Sequence, residues 1–236
     1  LWAKGERSHL NVDRGASGEF IATAEPIEYD ISRGQIGGAW NRGRFTFALD
    51  GEFARFDYQD ARNPAGGFVD EQFRDYDRYN LRGTADWSLA PQSSVFLSVD
   101  REWRRYRVGS SAALRDSNGY TVLAGVHGEI TPLVRGRLGI GVEHQNFLNA
   151  GLRNLTTLAF DGNIDWLVTD ITTISLSGNR TVQNTSLPTS PARLITRFRL
   201  HLDHELLRNV LLWGEADREN SDYRNGVDRD TLWRGA

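Results

Sequence analysis

The stretch TLAFDGNIDWLV, residues 157–168, decides the fold. Its even positions from Leu158 to Val168 read Leu, Phe, Gly, Ile, Trp and Val, whereas its odd positions from Thr157 to Asp165 read Thr, Ala, Asp, Asn and Asp. A β-strand sends successive side chains to opposite faces of a sheet. The stretch therefore predicts a strand with one apolar face and one polar face.

The same alternation recurs along most of the chain. In residues 79–89 the odd positions are mainly apolar and the even positions polar, and residues 194–206 repeat the pattern. A helix over 194–206 would spread its charged and imidazole side chains around the whole circumference, which favours a strand. The chain is predicted to hold about eleven strands plus a truncated one, most of them about 10–14 residues long.

The links between these strands alternate in length. Short turns are predicted at residues 41–43, 90–93, 131–133, 169–170 and 207–209. Longer polar links are predicted at about residues 11–26, 59–76, 108–117, 148–154, 184–192 and 223–229. This pattern is typical of an up-and-down transmembrane β-barrel, which has short turns at one rim and long loops at the other.

Composition narrows the function classes. The 236 residues contain no Cys, and the absence of Cys excludes disulfide scaffolds, Cys-ligated metal sites and thiol nucleophiles. The net charge is −3. The slightly acidic balance argues against a nucleic-acid partner. Mean hydropathy is −0.50, and no apolar run is long enough for a membrane helix. We expect one all-β domain over residues 1–236, and a soluble sandwich or propeller is the alternative.

Aromatic residues stand near the predicted strand ends. They are Trp40, Tyr79, Trp87, Tyr120 and Trp166. In a membrane barrel they would form the aromatic girdles at the two interfaces. In a soluble protein the same residues would cap a core.

The polar faces of the strands carry charges that a dry core would not accommodate. A hydrated lumen accommodates them, and we predict that twelve residues line it. They are Asp50, Glu52, Arg82, Asp86, Asp100, Glu102, Arg137, Glu143, Asp161, Asp165, Arg197 and Arg199. As a set they suit a conduit or binding surface for hydrophilic solutes. Each one alone is explained as well by cross-strand charge pairing.

The sequence nominates no catalytic, cofactor or metal site. His201 and His204 resemble a metal motif, but on a strand they point to opposite faces and cannot easily share one ion. No Ser/His/Asp arrangement stands out among the polar residues. We therefore predict a protein that is not an enzyme and needs no cofactor.

Three segments resemble one known family. Residues 165–177, 203–212 and 55–58 are similar to strand and turn segments of the bacterial outer-membrane β-barrel porins of type 2. The resemblance implies an outer-membrane location and more strands than this chain holds. Because a new alternation starts near Asp230 and no signal segment opens the chain, we expect a piece of a larger barrel, incomplete at both ends.

The leading hypothesis is an outer-membrane barrel with a porin-like transport role. The resemblance further implies export or surface handling of an exopolysaccharide, because many members are encoded beside such genes. The expected partners are outer-membrane lipid, hydrophilic solutes and polysaccharide. The alternatives are a structural or adhesive barrel that binds through its loops, and a soluble all-β binding protein.

Overall fold

The computed structural model of the protein describes residues 1–12, 23–108, 115–149, 152–184, 192–223 and 229–235. The strands in these ranges are β1 (Trp2–Asn11), β2 (Glu28–Arg42), β3 (Phe45–Tyr58), β4 (Ala61–Arg62), β5 (Phe68–Val69), β6 (Tyr76–Ala90), β7 (Ser93–Tyr106), β8 (Ser117–Thr131), β9 (Val134–Phe147), β10 (Leu155–Thr169), β11 (Thr172–Asn184), β12 (Ala192–Leu207), β13 (Val210–Tyr223) and β14 (Arg229–Gly235). A 3-10 helix, Gln72–Arg74, precedes β6. No helix within the described ranges is long and apolar enough to cross a membrane.

Twelve of these strands form a single antiparallel sheet in chain order, from β1 to β14. Each strand pairs with its sequence neighbours, while β4 and β5 form a separate small sheet inside the link between β3 and β6. The predicted all-β, up-and-down architecture is confirmed. Within the described residues the sheet is open, because β1 and β14 are its two edges.

The alternation of link lengths is confirmed as well. Each of the five predicted short turns contains two residues between consecutive strands, as at Gly43 and Arg44. Gly43 has a φ of 62°, a conformation that glycine adopts without steric cost. The strand ends that the longer links join lie at the opposite rim of the sheet, so the sheet has a short-turn end and a long-loop end.

The strand register separates two chemically distinct faces. Large apolar side chains such as Leu97, Ile140 and Leu200 alternate with polar ones and are 48%, 60% and 47% exposed. Exposed apolar side chains of this kind continue from strand to strand and far exceed the patches found on soluble monomers. We call this side the outer face and the opposite side the inner face. An outer face of this composition is typical of a transmembrane β-barrel.

Phe96 is an apolar residue on the inner face, and glycines make room for it. It lies opposite Gly125, whose partner on the next strand is Gly139. A Cβ atom at Gly139 would come within 2.9 Å of the Phe96 ring. The Arg137 guanidinium covers the ring at 3.5 Å from its centroid, so Phe96 is buried beneath a charged group.

Candidate functional site

All twelve residues predicted to line a lumen lie on the inner face. Directly opposed residues of neighbouring strands share a face, and one such row runs across six strands. Its members are Asp50, Arg82, Asp100, Thr121, Glu143 and Thr157. Rows in the same phase contain the other eight predicted residues, which are Glu52, Asp86, Glu102, Arg137, Asp161, Asp165, Arg197 and Arg199.

A cavity of about 870 Å³ lies against the inner face. Its walls come from strands between β1 and β11. Eight of the predicted residues line it: Asp50, Glu52, Arg82, Asp100, Glu102, Arg137, Glu143 and Asp161. The sheet therefore brings together charged side chains that are far apart in the sequence.

Charge pairing organises the wall of this cavity on β3 and β6. Glu52 accepts a hydrogen bond from Arg78 at 2.6 Å and another from the Gln35 side-chain amide at 2.5 Å. Arg33 approaches the same carboxylate at 3.5 Å. The Glu52 carboxylate on β3 thus binds side chains from both neighbouring strands, β2 and β6.

A second cluster joins β6 to β7. Arg82 donates to Asp100 at 2.8 Å, and the Asn80 amide donates to the same carboxylate at 2.7 Å. Further along β7, Arg104 donates to Glu102 at 2.7 Å. The positive and negative charges of this wall are therefore largely compensated by one another.

Glu143 has a different environment, because it reaches across a neighbouring strand. The pairing of β10 with β11 ends at Phe160 and Arg180, although both strands continue beyond that point. The backbone N–H of Val182 is left without its strand partner and donates to both Glu143 carboxylate oxygens, at 3.0 and 3.1 Å. Glu143 thereby provides the hydrogen-bond acceptor for a backbone N–H at the point where β10 and β11 separate.

A smaller cavity of about 400 Å³ lies on the inner face of β10–β14. Small polar side chains form its floor, including Asn163, Ser177 and Asn179. Arg197 donates to Glu219 at 2.7 Å, and Arg199 donates to Asp217 at 2.7 Å. These two pairs flank the floor.

Asp86 and Asp165 lie on the inner face but line neither cavity. The Asp86 carboxylate is 2.7 Å from Nε2 of His127. Asp165 accepts a hydrogen bond from Ser175 at 2.7 Å and lies 3.8 Å from Arg135. Both residues are positioned towards the short-turn end.

Several partners of the predicted residues were missed by the sequence reasoning. They are Gln35, Arg78, Arg104, Glu215, Asp217 and Glu219. Arg78 and Arg104 occupy the same alternating phase as predicted residues on their own strands, so strict application of the two-residue period would have found them. The other four lie on β2 and β13, where no residue was predicted to line a lumen.

The inner face is packed at the long-loop end. Tyr29 stacks on Tyr58 with ring centroids 5.0 Å apart, and Phe56 stacks on Tyr76 at 4.3 Å. The Arg74 guanidinium, from the 3-10 helix, lies 4.4 Å from the centroid of Tyr58. We call these five residues the aromatic cluster. It ties the link between β3 and β6 to the sheet.

Asp75 extends this attachment outside the strands. Its carboxylate accepts the backbone N–H of Tyr58 at 2.7 Å and lies 3.3 Å from the Arg107 guanidinium. Burial raises the pKa of the Asp75 carboxyl above its usual value, while the Tyr58 N–H and Arg107 act in the opposite direction.

The described residues contain no group of three or more His, Cys, Asp or Glu side chains arranged to hold a metal ion. His201 lies on the inner face, 3.1 Å from Asp203, whereas His204 is 2.9 Å from the Thr172 hydroxyl on the other face. The predicted separation of these two imidazoles is confirmed.

Comparison with known proteins identifies one matching family model. The model for putative beta-barrel porin 2 matches residues 1–234. Among solved structures, the chain is similar to the ferric yersiniabactin uptake receptor FyuA from Yersinia pestis, with 13% identity and a TM-score of 0.47. That similarity covers 83% of this chain and 36% of the receptor, so the chain spans little more than a third of that protein. No curated relative matches the chain.

Proposed function

This chain belongs to the putative beta-barrel porin 2 family and is an outer-membrane β-barrel protein, and from that premise we propose that its inner face lines a conduit for hydrophilic solutes. The observation that carries the proposal is the cavity of about 870 Å³, which eight of the predicted charged residues line on the face opposite the apolar outer face. A hydrated path of this kind stabilises polar solutes that the hydrocarbon region excludes.

The charge pattern supports solutes that are polar rather than strongly charged. Arg82 is compensated by Asp100, and Arg78 by Glu52, so neither sign dominates this part of the wall. A wall of mixed, paired charges offers both hydrogen-bond donors and acceptors to a passing hydroxyl-rich molecule.

We place the narrow part of the conduit at the long-loop end. The aromatic cluster packs there, and Phe56 is only 7% exposed. Long loops are external in outer-membrane barrels, so the constriction would face the cell exterior. The wider, charged part of the inner face would then lie between it and the periplasm.

Conductance of the full-length protein in planar lipid bilayers tests the proposal. We expect discrete channel currents, and we expect Asp100→Asn with Glu52→Gln to shift the current towards anions. Leu97→Ala, on the outer face, is the control and should leave ion selectivity unchanged. The absence of current above the lipid baseline would contradict the conduit.

The family resemblance extends the proposal to export or surface handling of an exopolysaccharide. Loss of the protein should then reduce polysaccharide at the cell surface and increase it in the periplasm. Complementation with the wild-type chain should restore export, whereas the Asp100→Asn, Glu52→Gln variant should restore it only in part. Unchanged surface polysaccharide in the deletion strain would argue against this cargo.

A structural or adhesive barrel without enzymatic activity is the second candidate. The aromatic cluster favours it, because packing of this density anchors an external link that could present a binding surface. A folded protein that carries no current but adheres to cells or matrix through its loops would support this role over the conduit.

A further inference from the structure

Three arginines interrupt the apolar outer face at a common level. Arg101 lies in β7, Arg180 in β11 and Arg218 in β13, and all three strands run from the short-turn end to the long-loop end. Arg101 and Arg218 each precede the last residue of their strand by five positions, and Arg180 does so by four. At about 3.3 Å per residue they lie roughly 13–17 Å along the strand from its external tip.

Arg101 lies among apolar and aromatic side chains. Its guanidinium is 5.5 Å from the centroid of Trp103, two residues along the same face. Leu81 and Tyr120 lie directly opposite it on the neighbouring strands. The charge is therefore in contact with a ring and has no acidic cross-strand neighbour.

Arg218 and Arg180 have similar surroundings. The Arg218 guanidinium is 4.8 Å from the centroid of Trp233, which lies opposite it on β14, and Phe198 lies opposite it on β12. Arg180 is opposite Phe160, and its buried Nε atom has no hydrogen-bond partner among the described residues.

In the described part of the chain, no carboxylate lies within ion-pair distance of these three guanidinium groups. Three arginines of the inner face differ from them, because Arg82, Arg197 and Arg199 each contact an acid within 2.8 Å. An arginine on a lipid-facing surface is costly at the centre of the bilayer and much less so near the interface. An anion from outside the protein would offset the remaining free-energy cost of the uncompensated guanidinium charge.

Aromatic residues mark the interface one or two residues closer to the external strand ends, a distance that a long arginine side chain can span. Tyr79, Trp103 and Tyr120 each lie three residues from the long-loop end of their strand, and all three belong to the outer face. Tyr and Trp concentrate at the level of the lipid headgroups. The three arginines are therefore within reach of headgroup phosphates in the external leaflet.

We propose that Arg101, Arg180 and Arg218 form a binding surface for phosphorylated glycolipid of the external leaflet. A guanidinium donates two parallel hydrogen bonds to a phosphate, and at Arg101 and Arg218 the adjacent tryptophan ring orients the arginine side chain. The occupant is assigned by charge complementarity, since three uncompensated cations face the lipid at headgroup depth. This inference is independent of whether the lumen conducts.

The test compares lipid binding by the full-length protein and by R101Q/R180Q/R218Q in detergent. The probes are diphosphorylated lipid A and the same lipid after removal of its phosphates, detected by native mass spectrometry. We expect the wild-type protein to bind the phosphorylated lipid at least about tenfold more tightly than the triple variant does. The inner-face variant R82Q/R197Q/R199Q is the matched control and should bind like the wild type.

Three results would overturn the proposal. They are equal binding of the two lipids by the wild-type protein, unchanged binding by the triple variant, and complete competition by inorganic phosphate at a matched concentration, which would indicate a simple anion site. Heat-modifiable gel mobility shows whether each variant is folded. If the triple variant does not fold, R218Q and R218K replace it, and R218K is expected to retain most of the binding that R218Q loses.

Discussion

Two arginines on the inner face of this sheet and two on the outer face have opposite environments. On the inner face, Arg78 and Arg82 donate to Glu52 and Asp100 at 2.6 and 2.8 Å. On the outer face, Arg101 and Arg218 contact Trp103 and Trp233 without a carboxylate within ion-pair distance among the described residues.

This difference in the contacts of the four arginines fits a sheet whose inner face contacts water and whose outer face contacts lipid. Arg78 and Arg82 are compensated by acids of neighbouring strands, whereas Arg101 and Arg218 contact aromatic rings instead. On the outer face the ion pair of Arg55 with Asp77 shows that an acid on the neighbouring strand, and not the face alone, decides whether an arginine is compensated.

The largest effect should come from placing one new charge on each face at adjacent positions of β8. Val122 lies between Val99 and Val142 on the outer face, opposite the middle of β7 and two residues deeper than the Arg101–Tyr120 pair, and Thr121 lies between Asp100 and Glu143 on the inner face. We expect Val122→Lys to lower the free energy of unfolding by about 2–4 kcal/mol. Thr121→Lys should lower it by less than about 1 kcal/mol, because its neighbours are acidic.

Urea titration of the protein in lipid vesicles measures both free energies. Val122→Ala controls for loss of side-chain volume without a charge. Equal destabilisation by the two lysines would mean that the faces do not differ in solvent.

Removing the central acid of the inner face should have the next largest effect. Glu52→Leu leaves Arg78 and the Gln35 amide without their acceptor, which should cost about 1–3 kcal/mol. Glu52→Gln preserves the shape and one acceptor oxygen, so its cost should be smaller. The same titration measures the difference, and a Leu variant as stable as the wild type would show that this pairing is dispensable.

A smaller effect is expected for a single exposed ion pair. Arg82→Gln removes the bond to Asp100, whose carboxylate keeps its hydrogen bond from Asn80. The Arg82 side chain is 57% exposed, so we expect a loss of about 0.2–1 kcal/mol that declines as salt is added. A loss that does not change between low and high salt would contradict the ion-pair explanation.

The smallest effect concerns the aromatic support of the outer arginines. A double-mutant cycle of Arg101→Gln and Trp103→Leu isolates the contact at 5.5 Å. We expect a coupling free energy of about 0.5–1 kcal/mol, measured by urea titration. Arg101→Gln with Leu97→Ala should show no coupling, and coupling of equal size in both cycles would mean that the ring contact is not specific.

Much of the fold was predictable from the sequence, because the period of two is visible within each strand. The five two-residue turns and the placement of Asp50, Arg137 and Arg199 on one face follow directly from that period. The small sheet of β4 and β5 was not predicted, since strands of two residues leave no periodic signal.

The pairing within the site was less predictable. Arg82 lies opposite both Asp50 and Asp100 but bonds Asp100, and Glu143 bonds the backbone of Val182 two strands away. These choices depend on side-chain reach and on where the pairing of β10 with β11 ends. Neither property is encoded in a local pattern.

The sequence by itself determined that this protein has two faces, one for lipid and one for water, because alternation requires only the geometry of a single strand. The tertiary structure decided which charges are compensated. Arg101 interrupts an apolar run in the sequence, but its lack of an acidic neighbour became evident only when Leu81 and Tyr120 were placed opposite it. Register between strands sets those distances, and electrostatic compensation falls off steeply with distance.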